Sequence, residues 1–107
     1  MNKTIFTGRL VKDVEFKDGE KKYARFTIAV NEKVGDKTNV YYANHIAFGP
    51  LAELVSKYLK KGSKVLVEGK FTQNQDKDKR DQISFVAEKV EFLDPKDKTQ
   101  ENGEFPF

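Results

Sequence analysis

Residues 4–11 and 23–30 alternate apolar and polar side chains and are rich in β-branched and aromatic types, the period-two pattern of half-buried strands. Between them Lys17-Asp18-Gly19-Glu20 supplies an Asp-Gly pair that tolerates positive φ, so the two strands are expected to close an antiparallel hairpin. In the second strand Ala24, Phe26, Ile28 and Val30 share one face, the expected core side, opposite Tyr23, Arg25, Thr27 and Ala29. Residues 31–39 form a polar run expected to be a loop tipped by Gly35-Asp36, after which residues 40–48 resume a strand pattern. Gly49-Pro50 ends that strand, and Pro50 suits the first turn of a helix whose apolar positions are Leu51, Leu54, Val55, Tyr58 and Leu59. Lys60-Lys61-Gly62 then offers cations and a glycine fitted to a helix C-terminus. Two further strands are expected at 65–71 and 83–93, separated by a polar run at 73–82 that should project into water.

The order is strand, strand, strand, helix, strand, strand. This predicts an all-β fold with one helix: a five-stranded Greek-key OB-fold barrel with the helix between strands 3 and 4. Gly8 and Gly69, isolated within strand patterns, should mark bulges or corners where the sheet curls to close. From Asp94-Pro95 onward apolar residues vanish until the last three, so residues 1–93 form the expected domain and residues 94–107 a disordered acidic tail. The tail ends in Glu104-Phe105-Pro106-Phe107. Two readings of that end stand side by side: a short motif whose rings enter a partner's apolar pocket while its carboxylates meet Lys or Arg, or a frayed terminus.

At 107 residues the chain holds one domain, which excludes a multidomain enzyme. It has no run of eighteen apolar residues and no cysteine, so membrane helices, disulfides and thiolate metal sites are not expected. No basic segment followed by an apolar one suggests a secretory signal. A cytoplasmic protein is therefore expected. The formal net charge of +3 is mild, but its distribution is informative. Residues 94–107 carry four acids and two bases, leaving +5 on residues 1–93, a basic body fitted to a polyanion or merely solvated.

Catalysis finds no support in the pattern. The single histidine, His45, has no nucleophile or second ligand in the sequence around it, so no enzyme activity, metal or cofactor is expected. His45 alternates with Ala43 and Ala47, which suits a packed or interface imidazole. Residues 62–70 mimic a phosphate-binding loop, but six residues separate the glycines where four are needed, and Phe71 replaces the Ser or Thr. A strand binder instead needs aromatic rings for unstacked bases and cations for phosphates on one concave face. Tyr42 and Phe48 share a parity in the third strand, with Asn44 and Ile46 between them. They are either base-stacking rings or core. Cations near that strand include Lys3, Arg9, Lys12, Arg25, Lys33, Lys37, Lys57, Lys60, Lys61, Lys64 and Lys70, none of them diagnostic alone.

Three segments resemble the bacterial and phage single-stranded DNA-binding protein family, which uses OB folds in this way. Residues 1–13, with Gly8-Arg9-Leu10 followed by Asp13, look like the family's opening strand. Residues 24–31 continue the similarity, and residues 48–70 resemble its strand-helix-strand signature almost position by position. The resemblance implies a protein that coats and protects single-stranded DNA without sequence preference during replication, recombination and repair. It implies stacking by Tyr42 and Phe48, with Lys3, Arg9, Lys33, Lys60, Lys61, Lys64 and Lys70 following the phosphates and the 31–39 and 73–82 hairpins wrapping the strand. Glu104, Phe105, Pro106 and Phe107 resemble the family's partner-binding tip, which recruits replication and repair proteins. A homotetramer is implied, with a dimer as the alternative. Val34 stands where members often carry Trp, and residues 74–76 lack the usual aromatic, which implies a weaker or differently sized footprint. An RNA-binding OB module and a primosome-type adaptor are the rival readings.

Overall fold

The alternating segments become two-faced strands. The computed structural model describes residues 1–75 and 77–94, arranged as β1 (Thr4–Leu10), β2 (Glu15–Asp18), β3 (Lys22–Val34), β4 (Lys37–Phe48), α1 (Gly49–Tyr58), β5 (Lys64–Gln75) and β6 (Asp81–Phe92). The sheet runs β1-β5-β6-β4-β3-β2, and pairing of β1 with β3 at Arg9↔Ala29 and Leu10↔Ile28 closes five of the strands into a barrel. Closure removes the exposed hydrogen-bonding edges that an open sheet would leave. The expected fold is thus the observed one, with the helix between β4 and β5.

Four elements differ from expectation. The Asp-Gly turn closes a hairpin between β3 and the short extra strand β2, in register at Asp18↔Lys22, whereas β1 runs mainly beside β5 from Thr4↔Gly69 to Arg9↔Lys64. The 31–39 segment is a ribbon rather than a loop. β3 and β4 stay paired out to Val34↔Lys37, with Gly35 at φ 61° in the two-residue turn. Likewise β5 and β6 pair out to Gln75↔Asp81. Both ribbons project beyond the barrel, so water bathes both faces and no apolar alternation marks them as strands. The helix stops at Tyr58, where Leu59 turns extended and its N–H donates to Val55 O at 2.9 Å. Gly62 lies in the following turn and its N–H donates to Leu10 O at 2.8 Å.

The core gathers the inward parity of the strands. Ala24, Phe26 and Ile28 of β3, Ala43 and Ala47 of β4, Val65 and Val67 of β5, and Val90 of β6 are buried together, with Ala52 and Val55 of α1. On the inward face Ala43 pairs with Ile28, His45 with Phe26 and Ala47 with Ala24, a mix of small and large side chains that fills a narrow barrel.

Gly69 sits at a register shift between β5 and β6, a bulge as expected, and Gly8 marks a tight crossing of β1 over β3. A Cβ at Gly69 would strike the Val86 carbonyl oxygen, and one at Gly8 the Ala29 carbonyl oxygen. Because the obstacle is backbone, no rotamer change relieves it. Gly8→Ala and Gly69→Ala are each expected to cost about 1–3 kcal/mol in urea unfolding, the usual range for overpacking. Gly19→Ala, with nothing within 4 Å of its Cβ position, should stay within about 0.5 kcal/mol.

The expected tail with its tip Glu104, Phe105, Pro106 and Phe107 lies outside the described residues, except for Asp94. That residue is fastened to the body: Lys64 N–H donates to its Oδ2 at 3.0 Å and Arg9 Nη1 approaches Oδ1 at 3.3 Å.

Candidate functional site

Directly paired residues of antiparallel strands point to the same face, so the β3–β4 register writes out the barrel's outer surface row by row. The pairs are Tyr23↔Phe48, Arg25↔Ile46, Thr27↔Asn44 and Ala29↔Tyr42, continuing onto the ribbon as Asn31↔Val40 and Lys33↔Thr38. Tyr42 is 66% exposed and Phe48 50% exposed. Neither ring is core. Both rings therefore stand on the outer surface of the barrel, on the same face of β4.

The inward parity behaves oppositely. His45 is 2% exposed, stacked on Phe26 at 5.3 Å and 8° and flanked by Phe6 at 5.9 Å and Phe85 at 5.5 Å. Its Nδ1–H donates to Ala43 O at 3.1 Å. Burial pulls its pKa from 6.5 down to about 4, outweighing the opposing effect of the Ala43 hydrogen bond. The ring is therefore a neutral core residue, as its alternation with alanines predicts. Tyr41 has the same parity but lies where the ribbon leaves the barrel, and it is exposed.

Beside the β3–β4 face, the β5–β6 ribbon rises to form a second wall, leaving a cleft of about 810 Å³. Arg25, Thr27, Asn44 and Phe48 line one side and Thr72 and Ser84 the other. Polar side chains in the cleft are arranged in bonded pairs. Thr27 Oγ1–H donates to Asn44 Oδ1 at 2.7 Å, and Thr72 Oγ1–H donates to Ser84 O at 2.7 Å. The result is a concave face with an aromatic ring at its margin, hydroxyls and an amide across it, and the exposed Lys12–Glu15 pair on its lining.

The expected cations fall into three places. Lys33 shares the face of Tyr42 on the ribbon, and Lys70 shares the face of the cleft wall through its pairing with Val86. Arg9 and Lys64 lie in one transverse row with Tyr42, running Lys64, Arg9, Ala29, Tyr42 across β5, β1, β3 and β4. Strands are spaced about 4.8 Å apart, so Arg9 stands about 10 Å from Tyr42 with only the small Ala29 between them. Lys60 and Lys61 occupy the adjoining turn, where Lys61 N–H donates to Asp13 Oδ1 at 2.8 Å. Lys3 is the outlier, turned to Glu68 at 3.3 Å. Arg9 also donates to Gly62 O at 2.9 Å, so it is both a brace for the turn and a surface cation.

Sequence reading does not single out Thr27, Asn44, Thr72 and Ser84 for this face. Their types are unremarkable in strands, and only the register and the rise of the β5–β6 ribbon bring them together.

The chain matches known proteins along this framework. A sequence profile described as the single-strand binding protein family matches residues 1–93. A single-stranded DNA-binding protein of Fusobacterium nucleatum is 35% identical over 106 residues, covering 90% of this chain and 69% of that protein. One from Wolinella succinogenes is 35% identical over 112 residues, covering 92% and 68%. Single-stranded DNA-binding protein 1 of Staphylococcus aureus is 34% identical over 105 residues, covering 90% and 67%.

Proposed function

Because this chain belongs to the single-strand binding protein family, a family of binding proteins rather than enzymes, we propose that it coats single-stranded DNA without sequence preference. The observation that carries the reading is the pair of exposed rings, Tyr42 and Phe48, on one face of the barrel. Every base offers a π-face, so rings on a concave surface bind single strands and are blind to sequence. Duplex bases are already stacked and offer no such face.

The phosphates follow the cations around those rings. Lys33 continues the Tyr42 face along the ribbon, Lys70 stands at the cleft wall, and Arg9 with Lys64, Lys60 and Lys61 forms the basic margin. Lys3, held by Glu68, makes the weakest case and contributes least. Residues 1–93 act as the binding domain. Protection of exposed strands in replication, recombination and repair follows from coating. Recruitment of partner proteins falls to Glu104, Phe105, Pro106 and Phe107, whose rings and carboxylate suit an apolar pocket edged by cations. The working form is a homotetramer, with a dimer as the smaller alternative.

A competition titration tests the reading. Labelled oligo-dT bound to the protein at moderate salt is displaced by unlabelled mixed-sequence single strands, by duplex of equal length and by RNA. Strong competition by single-stranded DNA with little by duplex is expected. Equal competition by duplex would reduce the interaction to charge alone, and preference for RNA would replace the substrate.

A further inference from the structure

We propose that Arg25, braced on Tyr23, is a phosphate-gripping residue at the centre of this face, placed between the two stacking rings; the inference rests on the single-strand reading above. In the register, Arg25 pairs with Ile46, one row in from Tyr23↔Phe48 and two rows from Ala29↔Tyr42. Rows on one face recur every two residues, about 6.7 Å along a strand. That puts its guanidinium within side-chain reach of a backbone passing from one ring to the other.

Three observations set Arg25 apart from the other cations. It lines the cleft without an ion pair among the described residues, whereas Lys12, which also lines it, is paired with Glu15, and Arg9 and Lys3 are tied to Asp94 and Glu68 outside it. Its guanidinium carbon lies 5.5 Å from the Tyr23 ring centroid. A guanidinium laid on an aromatic ring loses little side-chain freedom when it binds and keeps its N–H edge open for the two-pronged contact that phosphate oxygens accept. The third observation concerns its natural acid partner. Glu15 lies directly opposite Arg25 in the β2–β3 register, yet its carboxylate is engaged by Lys12 at 3.3 Å. An arginine in an acid pair must break that pair before binding an anion, while Arg25 faces the cleft with its donors free of any ion pair among the described residues.

The register also supplies a division of labour. Thr27 and Asn44, the next row, are bonded to each other and present no charge, so a base lies over that row and the phosphate beside it meets Arg25. Tyr23 acts as a positioning residue, holding the guanidinium in place.

Full-length protein is titrated with fluorescent oligo-dT over a range of NaCl concentrations, and thermal melts confirm that each variant is folded. Arg25→Gln is expected to weaken binding about tenfold at low salt and to reduce the log–log salt slope by about 0.7, the signature of one lost phosphate. Arg25→Lys should keep the slope and lose affinity, because lysine holds the charge without the stacked fork. Tyr23→Leu should lower affinity several-fold with the slope unchanged. Tyr42→Ala serves as the reference for the parent reading. If Tyr42→Ala weakens binding while Arg25→Gln leaves the slope as it was, the assignment of Arg25 is overturned and the single-strand reading stands. If neither substitution affects binding, both fall.

Discussion

Replacing Tyr42 and Phe48 together by alanine is expected to weaken binding to single-stranded DNA by about thirtyfold to ten-thousandfold with almost no loss of stability. Base stacking on an aromatic side chain is worth about 1–3 kcal/mol per base, and the two rings stand on one face with two rows, those of Asn44 and Ile46, between them along β4. Rings that far apart are expected to meet separate bases, so their contributions should add to a first approximation. Both rings are at least half exposed, and surface truncations of that kind shift folding free energy by about 0.5 kcal/mol or less. Fluorescence titration with oligo-dT, paired with urea unfolding of the same preparations, separates the two effects. A double variant that binds as tightly as the wild type would move the bases off this face, and would favour an adaptor whose chief contacts are with protein. The same variant losing several kcal/mol of stability would show the rings to be packed in an assembly of subunits.

Acid should unfold this protein through His45 before its carboxylates explain the loss. Burial among Phe6, Phe26 and Phe85 lowers the imidazole pKa from 6.5 to about 4. The folded protein therefore resists protonation that the unfolded chain accepts. Stability is complete above pH 6.5 and declines as pH falls toward 4, because the unfolded state binds the extra proton throughout that window. At about 1.4 kcal/mol per pKa unit, the loss reaches about 2 kcal/mol by pH 5 and about 3 kcal/mol by pH 4. Urea unfolding at pH 7.5, 6, 5 and 4 reads the slope directly. His45→Leu keeps an apolar ring-sized filler and should flatten the dependence between pH 6.5 and 5, where carboxylates titrate little. Parallel slopes for variant and wild type would show that the imidazole is already free to charge within the barrel.

The two predictions draw on neighbouring residues of one strand. β4 carries Tyr42 and Phe48 outward and Ala43, His45 and Ala47 inward, and a shift of one residue in its register would exchange the two sets. Folding therefore fixes which set faces outward: Ala43, His45 and Ala47 fill the narrow interior, and Tyr42 and Phe48 stand outside it. The same tight geometry explains Gly8 and Gly69, where neighbouring backbone leaves no space for a Cβ.

Much of this was legible in the sequence, since alternation and turn chemistry are local. The order of elements, the core parity of β3, the inward alanines of β4, the helix after Gly49-Pro50 and the buried histidine all follow from spacing along the chain, because side-chain direction in a strand repeats every two residues. The pairing of exposed with buried sets on β4 follows as well. That Tyr42 and Phe48 stand exposed rather than packed did not, because an aromatic ring in a strand fits core or surface until the barrel closes. The ribbons were hidden for a related reason. Residues 31–34 and 37–39 pair through backbone hydrogen bonds, which any side chain permits, and with water on both faces no hydrophobic pattern records the pairing.

What the tertiary structure alone decided is adjacency between strands distant in sequence. Arg9 and Tyr42 share a row only because β1 closes onto β3, and Arg25 faces an open cleft only because Lys12 occupies Glu15 and the β5–β6 ribbon rises opposite. Sequence determines the direction of each side chain relative to its own strand. Register and closure determine its neighbours, and a binding face is made of neighbours.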